Sequence, residues 1–167
     1  MNSKNTPDKP RTSLVVVAST RAAAGEYEDR SGKIAVEFLR SQGLDTPDAV
    51  IVADANIQSA IDNVLNGPDA PDVLLTSGGT GITPDDRTVE AVESHIVKEL
   101  PGIAVAFWNK GLETVPTAAL SRCIAGITRQ TFVMTLPGSP GGVKDGCAVL
   151  EGILGHIIDV MKGNNEH

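Results

Sequence analysis

The chain of 167 residues carries 14 basic and 21 acidic side chains, and its net charge of −7 argues against a surface that binds nucleic acid or anionic lipid. The length suits one domain, and no apolar run approaches the roughly 20 residues that span a bilayer. Residues 1–12 are polar and are interpreted as a flexible arm rather than a secretory signal, with the domain at residues 13–162 and a short tail at residues 163–167. Cys123 and Cys147 lack the spacing of a disulfide framework or a zinc site, which favours reduced, buried thiols in a cytoplasmic protein.

Predicted strands and helices alternate along the chain. Short apolar runs rich in β-branched residues predict strands that are covered on both faces, and apolar residues at helical spacing predict helices. In chain order, the predicted elements are a strand at residues 14–18, a helix at 31–42, a strand at 49–53, a helix at 57–65 capped by Asn56, a strand at 72–76, a helix at 88–99, strands at 124–127 and 132–136, and a last helix at 143–161. Pro101 and Gly102 are expected to break the chain, after which residues 103–108 could be helical and residues 111–120 look extended or irregular.

This alternation predicts an α/β fold, with a doubly wound, mostly parallel sheet and helices on both faces. In such sheets, ligands bind beyond the carboxyl ends of the strands. Four unusual segments each follow a predicted strand, so we expect them at one edge of the sheet. They are residues 20–30, Asp54, residues 77–86 and residues 137–143.

The most distinctive segment is the glycine loop, TSGGTG, which lies between a predicted strand and a predicted helix. Glycines let the backbone approach a ligand closely, and free N–H groups near a helix N-terminus favour an anion such as phosphate. The loop matches neither the Walker A motif nor the dinucleotide-binding fingerprint. We interpret it as a different phosphate-binding loop, and the alternative is a tight turn that binds nothing. Its candidate substrate-binding residues are Thr76, Ser77, Gly78, Gly79, Thr80 and Gly81.

Acidic residues lie beside this loop, since Asp85 and Asp86 end it and Asp54 ends the neighbouring strand. Carboxylates around an anion site would repel the ligand, and a Mg²⁺ ion held by one or two carboxylates and by substrate phosphates would remove this conflict. The simpler alternative is that Asp85 or Asp86 only begins a helix. Residues 137–142 likewise either border the site or only cap a helix. His95 has no acidic or cysteine partner at ligand spacing and is interpreted as a surface or core side chain.

The string TSGGTGITPDDRTVEA, at residues 76–91, closely resembles the signature of the MoaB/Mog family of molybdenum-cofactor (molybdopterin) biosynthesis proteins. The resemblance covers nearly the whole chain after the N-terminal arm. Three further segments are similar to the family's other blocks: STRAAAGEYEDRSG at residues 19–32, VPTAALSR at residues 115–122, and LPGSPGGVKDG at residues 136–146. The resemblance implies a doubly wound α/β domain that assembles as a homo-oligomer, a trimer or in some branches a hexamer.

Active members of this family are adenylyltransferases, which convert molybdopterin and MgATP into adenylyl-molybdopterin and pyrophosphate. By position in the resemblance, Asp54 and Asp86 match the two catalytic aspartates and would hold Mg²⁺. The glycine loop would bind the phosphate end of the pterin, and Gly138 and Ser139 would border the same pocket. Molybdopterin and ATP are therefore the implied substrates, with Mg²⁺ as the implied cofactor.

The sequence departs from the family pattern at a few positions. Many members have Arg where Asp85 stands, and an acid–base pair of Glu and Arg is usual where Val105 and Trp108 stand. Thr20 replaces the usual Asp of the first loop. These departures leave a second hypothesis open, a non-catalytic molybdopterin-binding or scaffolding protein of the same pathway.

Overall fold

A computed structural model describes residues 9–164, so most of the predicted arm and of the predicted tail lies outside the described residues. The last two residues of the predicted arm make defined contacts. Arg11 forms an ion pair with Asp159, and the Thr12 N–H donates to the Asp72 carboxylate at 2.9 Å. These contacts attach the residues that precede the first strand to the domain.

Six strands form one sheet in the order β2-β1-β3-β6-β5-β4. The strands are β1 (Ser13–Ala18), β2 (Val50–Val52), β3 (Val73–Ser77), β4 (Lys98–Glu99), β5 (Ala125–Ile127) and β6 (Phe132–Leu136). β1 pairs in parallel with β2 and β3, and β3 pairs in parallel with β6, while β5 is antiparallel to both of its neighbours. The predicted mostly parallel sheet is confirmed.

Helices cover both faces of the sheet, which confirms the predicted α/β architecture. The helices are α1 (Thr20–Ala23), α2 (Ser31–Ser41), α3 (Ile57–Asn66), α4 (Thr88–Glu93), α5 (Pro101–Leu112), α6 (Pro140–Glu151) and α7 (Leu154–Met161). Alternate strand residues point to opposite faces, and two hydrophobic clusters result. Val15, Leu75 and Met134 belong to the cluster with α2, α5, α6 and α7, whereas Val16 and Leu74 belong to the cluster with α3 and α4.

The region around residue 100 differs from the prediction. The helix predicted at residues 88–99 ends at Glu93, and Lys98–Glu99 forms the edge strand β4. Pro101 does not interrupt regular structure but begins α5. A proline is tolerated in the first turn of a helix, because the N–H that it lacks would have no partner there. The prediction of a possible helix at residues 103–108 was right, and α5 continues to Leu112. A 3₁₀ turn at Pro116–Leu120 follows.

Three other predictions were wrong in detail. The last helix is divided into α6 and α7, since α6 ends at Glu151 with Gly152 as its C-cap. Buried residues such as Leu150, Leu154 and Ile158 nevertheless continue one apolar stripe across the break. Asn56 occupies the N-cap position of α3, but its side chain makes no capping hydrogen bond. β2 is not covered on both faces, since it lies at the edge of the sheet and Val50 is 46% exposed.

Both cysteines are free and buried, as predicted. Burial raises the pKa of the Cys123 thiol to about 12 and that of the Cys147 thiol to about 11. Thiols that stay protonated at neutral pH are poor nucleophiles and poor metal ligands. Within residues 9–164, no helix is both long enough and apolar enough to span a membrane.

Candidate active site

The carboxyl ends of β1, β2, β3 and β6 lie side by side, and the segments that follow β3 and β6 contact each other. The N–H of Gly78, directly after β3, donates to the carbonyl of Leu136 at the end of β6, at 3.0 Å. The hydroxyl of Ser77 donates to the carbonyl of Pro137 at 3.1 Å. The glycine loop and the segment at residues 137–143 therefore share one edge of the sheet.

The glycine loop turns sharply where it leaves β3. Gly78 and Gly79 have φ values of 91° and 71°, in the left-handed region that favours glycine. A Cβ atom on Gly78 would collide with the carbonyl of Ala18, and a Cβ atom on Gly79 would collide with the side chain of Thr88. The two glycines are thus required by the turn itself and by the close approach of β1 and α4.

The loop offers backbone amides rather than hydroxyls to a ligand. Thr76, Ser77 and Thr80 are buried, and the Thr76 hydroxyl has no hydrogen-bond partner among the described residues. The Gly78 N–H already donates to Leu136, as described above. Within residues 9–164, the N–H groups of Gly79 and Thr80 have no acceptor, and these are the loop amides that remain for an anion.

Asp54 lies in the 3₁₀ turn that follows β2, and the first loop holds its carboxylate. Its Oδ2 accepts hydrogen bonds from the N–H of Thr20 at 3.0 Å and from the Thr20 hydroxyl at 2.8 Å. The N–H of Asp54 donates back to the Thr20 hydroxyl at 3.1 Å. Thr20 departs from the family pattern, and it supplies Asp54 with neutral donors where a second carboxylate would repel it.

Asp86 is held by the loop that precedes it. Its Oδ2 accepts hydrogen bonds from the Thr83 N–H at 3.0 Å and from the Thr83 hydroxyl at 2.7 Å. A Cβ atom on Gly81 would lie only 2.7 Å from the same oxygen. Burial raises the pKa of Asp86, but the Thr83 and Gly81 hydrogen bonds and the Arg122 charge outweigh it, so the pKa lies below its ordinary value and the side chain is ionised at neutral pH.

The two aspartates come from separate strand ends of the same sheet edge. Asp54 contacts Thr20, and Gly78 packs against Ala18, so residues at the end of β1 separate Asp54 from the glycine loop. Asp86 approaches the loop from the other direction, through Gly81. The structure therefore places both carboxylates beside the chain segments that flank the loop.

The donor chemistry of this edge suits a magnesium ion that substrate phosphates help to hold. Within residues 9–164, no three His, Cys, Asp or Glu side chains come together as a metal site. Mg²⁺ is commonly held by one or two carboxylates with waters and substrate phosphates, so a cluster of three such side chains is not required. Asp54 and Asp86 each have one oxygen held by a threonine, which orients the carboxylate before any ligand binds.

Two clefts adjoin the glycine loop. One, of about 410 Å³, is lined by Ser77 and Gly138 together with residues of the first loop, Ser19, Tyr27, Glu28, Asp29, Arg30 and Ser31. The other, of about 460 Å³, is lined by Gly81, Ile82, Thr83, Pro84, Asp86, Arg87, Glu90 and Arg122. Ser139 caps α6 at the border of the first cleft, where its hydroxyl accepts from the Gly142 N–H at 3.1 Å.

Sequence reasoning missed several residues at this edge. Asp29 is buried and its Oδ1 accepts a hydrogen bond from the Gly32 N–H at 3.0 Å, and Ser31 donates to the Gly138 carbonyl at 2.7 Å. Both belong to a block that is similar to the family pattern, which was the available signal. Arg122, at the end of another such block, donates to the Gly81 carbonyl at 2.8 Å.

His95 has a partner that the spacing did not indicate. Its Nε2 lies 2.6 Å from Oδ1 of Asp62 on α3. This hydrogen bond holds the pKa of Asp62 below its ordinary value, with a further contribution from Gln58. The pair joins α3 to the end of α4, and His95 lines neither of the two clefts beside the glycine loop.

Comparison with known proteins identifies the family. A family model described as a probable molybdopterin binding domain matches residues 14–156. The chain belongs to this family. The match includes the glycine loop, both aspartates and the segment at residues 137–143, and it confirms the resemblance that the sequence motifs indicated.

Individual members of the family are similar over nearly the whole chain. The molybdopterin adenylyltransferase of Helicobacter pylori is 34% identical over 154 residues, which cover 90% of this chain and 87% of that protein. The molybdenum cofactor biosynthesis bifunctional protein of Synechococcus elongatus is 36% identical, but the match covers 47% of that protein, so this chain spans about half its length. The structure of the molybdopterin biosynthesis Mog protein from Mycobacterium ulcerans is similar with a TM-score of 0.85 and 38% identity, covering 93% of this chain and 99% of that one.

Proposed function

We propose that the protein acts in molybdenum-cofactor biosynthesis as a molybdopterin adenylyltransferase. It binds molybdopterin and MgATP, transfers the adenylyl group to the terminal phosphate of the pterin and releases pyrophosphate. The observation that carries this proposal is a glycine loop whose Gly79 and Thr80 N–H groups have no acceptor within residues 9–164, with the oriented carboxylates of Asp54 and Asp86 on neighbouring segments of the same sheet edge. The similarity to the H. pylori molybdopterin adenylyltransferase supports it.

The reaction requires positioning and charge neutralisation more than acid–base chemistry. The terminal phosphate of the pterin is already ionised when it attacks the α-phosphorus of ATP, and pyrophosphate leaves as an anion. The amides of Gly79 and Thr80 hold the acceptor phosphate in line with the reacting bond. Asp54 and Asp86 would hold Mg²⁺, which would supply neutralisation of the phosphate charge. Gly138 and Ser139 border the pterin.

A non-catalytic, molybdopterin-binding role is the second candidate, because the family positions at Asp85, Val105 and Trp108 are altered. Asp85 is exposed next to Asp86 and adds a negative charge where many members carry a positive one. Val105 is 49% exposed on α5, and the Trp108 side chain donates to a backbone carbonyl. Neither position therefore carries an unpaired buried charge, which is consistent with folding. Whether turnover survives is decided by assay.

The decisive assay measures product directly. The protein is incubated with molybdopterin, ATP and Mg²⁺, and adenylyl-molybdopterin and pyrophosphate are quantified by mass spectrometry and by a coupled pyrophosphate assay. Formation of both products, and their loss when Mg²⁺ is chelated, supports the adenylyltransferase. Tight binding of molybdopterin without either product contradicts it and supports the binding protein.

We also propose a homo-oligomer, a trimer or a hexamer, in the cytoplasm. The support is the resemblance to the family, together with a cleft of about 770 Å³ at which Val97 and Val160 are 66% and 46% exposed. Association that covers such side chains is favoured by the burial of apolar surface. Sedimentation velocity of the purified chain distinguishes one, three and six copies.

Thr20→Val is expected to lower kcat for adenylyl transfer by about tenfold, because it removes the hydroxyl that orients Asp54 while keeping the side-chain volume. Thr20→Ser keeps the hydroxyl and is the matched control, with kcat expected within about threefold of the unmodified protein. Steady-state kinetics with both substrates checks the expectation. Equal rates in the two variants would show that the Thr20 hydroxyl does not act through Asp54.

Trp108 is the only tryptophan, and its emission is expected to change when molybdopterin binds. Its Nε1 donates to the Ser121 carbonyl at 2.8 Å, and the Ser121 hydroxyl lies 3.3 Å from the hydroxyl of Thr80 in the glycine loop. A displacement of the glycine loop is therefore expected to change the surroundings of the indole, because Ser121 contacts both. Titration is monitored at 295 nm excitation, with free N-acetyl-tryptophanamide as the control for pterin absorbance; an unchanged corrected spectrum at saturation contradicts the connection.

A further inference from the structure

A single arginine ties together the two ends of the loop that leads to Asp86. The Nε of Arg122 donates to the Gly81 carbonyl at 2.8 Å, and its Nη2 donates to the Asp86 carbonyl at 2.8 Å. The Arg122 N–H also donates to the Thr80 carbonyl at 2.9 Å. One residue therefore contacts the backbone on both sides of the turn at residues 82–85.

The charge of Arg122 is already balanced within the protein. Its Nη1 forms an ion pair with Glu90 on α4, and its Nη2 lies 3.5 Å from the second oxygen of that carboxylate. The planar guanidinium thus has carbonyl acceptors on one side and a carboxylate on the other. This arrangement differs from that of an arginine whose charge is free to bind a phosphate.

The segment that carries Arg122 is itself anchored. The Trp108 indole N–H donates to the carbonyl of Ser121, and the Ser121 hydroxyl contacts the Thr80 hydroxyl. These contacts connect α5, the segment at residues 121–122 and the glycine loop. Trp108, one of the departures from the family pattern, therefore helps to hold the segment that carries Arg122.

We propose that Arg122 is a positioning residue for Asp86. By holding the carbonyls of Gly81 and Asp86 together, it sets where the Asp86 carboxylate lies relative to the amides of the glycine loop. The Arg122–Glu90 pair orients the guanidinium for this purpose and connects the loop to α4. The proposal rests on the proposed function, since it assigns Asp86 a role in adenylyl transfer.

The test compares Arg122→Met, Arg122→Lys and Glu90→Gln with Arg40→Met as the control. Arg40 offers a matched environment, because its Nε donates to the Thr46 carbonyl at 3.0 Å and its Nη2 lies 3.1 Å from an Asp48 oxygen, at the end of α2 that is remote from the loop. Each variant is assayed for kcat and for KM of both substrates. Hydrogen–deuterium exchange is followed at residues 80–86 and at residues 31–41.

We expect Arg122→Met to lower kcat by about tenfold or more with KM within about threefold. Exchange at residues 80–86 is expected to accelerate while exchange at residues 31–41 stays unchanged. Arg122→Lys is expected to recover only part of the rate, because one ammonium group lacks the planar fork that reaches two carbonyls. Glu90→Gln is expected to give a smaller loss of kcat, and Arg40→Met none.

Three results would overturn the positioning role. Unchanged kcat and unchanged exchange at residues 80–86 in Arg122→Met would do so, as would a raised KM at normal kcat, which indicates direct substrate binding. Faster exchange that extends to residues 31–41 in both Arg122 variants would indicate a general loss of stability instead. If the unmodified protein forms no product, the proposed function is contradicted. The contact of Arg122 with the loop is still tested in that case, by hydrogen–deuterium exchange at residues 80–86.

Discussion

If the proposed adenylyl transfer is correct, Asp86→Asn is expected to lower its kcat by about 100-fold or more and to leave molybdopterin affinity within about threefold. Asparagine keeps the shape of the side chain and an oxygen that accepts from the Thr83 N–H and hydroxyl, so the loop stays folded. It removes the negative charge that the hydrogen bonds of Asp86 maintain at neutral pH. The loss is therefore expected in the chemical step and in its Mg²⁺ dependence.

The neighbouring acid provides the matched control for this variant. Asp85→Asn removes the same charge one residue earlier in the chain, at an exposed position. Its kcat is expected within about threefold of the unmodified protein, because screened surface charges act weakly. Steady-state kinetics gives kcat, and equilibrium binding of molybdopterin gives the affinity. If Asp86→Asn weakens binding as much as turnover, Asp86 only shapes the loop.

Gly78→Ala is expected to destabilise the protein by about 3 kcal/mol or more. Alanine at a φ of 91° occupies the left-handed region, and its Cβ atom collides with the Ala18 carbonyl at the end of β1. The strand cannot yield easily, since β1 lies between β2 and β3 in the sheet. Urea unfolding followed by far-UV circular dichroism measures the change in the free energy of unfolding.

Variants at two other glycines distinguish the two causes of the expected destabilisation, the positive φ and the collision with Ala18. Gly25 has a φ of 75° with open space around its Cα, so Gly25→Ala isolates the backbone conformation and is expected to cost about 1 kcal/mol. Gly102 lies in α5 and also has open space, so Gly102→Ala is expected to be neutral or stabilising. Equal losses for Gly78→Ala and Gly25→Ala would show that the collision with Ala18 is relieved without cost.

The strands that carry the site were predictable because they are short and mostly apolar. β1, β3 and β6 lie in the middle of the sheet, and residues such as Val15, Leu75 and Met134 are completely buried between helices. This environment favours apolar side chains, and the apolar runs in the sequence reflect it. The location of the glycine loop and of Asp54 followed from the rule that parallel strands end at one edge.

Elements whose form depends on tertiary contacts were less predictable. Lys98 and Glu99 are polar residues in an edge strand, and their conformation depends on pairing with β5 rather than on their own propensity. A break at Gly152 separates α6 from α7. The apolar stripe nevertheless continues across the break, because both helices pack on the same face of the sheet. Periodicity reports which face is buried, and it does not report a break between two helices that bury the same face.

Hydrogen bonds between residues of separate elements were not predictable from the sequence for a related reason. Arg122 reaches Gly81 across 41 residues, and His95 reaches Asp62 across 33 residues. Spacing rules describe neighbours on one helix or one strand, so they cannot indicate partners from separate elements. Only the resemblance to the family block at residues 115–122 marked Arg122 as relevant, and no block contained Asp62 or His95.

The hydrogen bond from Gly78 to Leu136 has a consequence for the order of folding. β3 pairs with β6, and the hydroxyl of Ser77 meets a carbonyl 60 residues further along the chain. The conformational entropy of closing so long a loop is lost before the contact stabilises the chain, which makes such pairing slow. During synthesis on the ribosome, the glycine loop therefore emerges well before β6, and its hydrogen bond to Leu136 forms only after β6 has paired with β3.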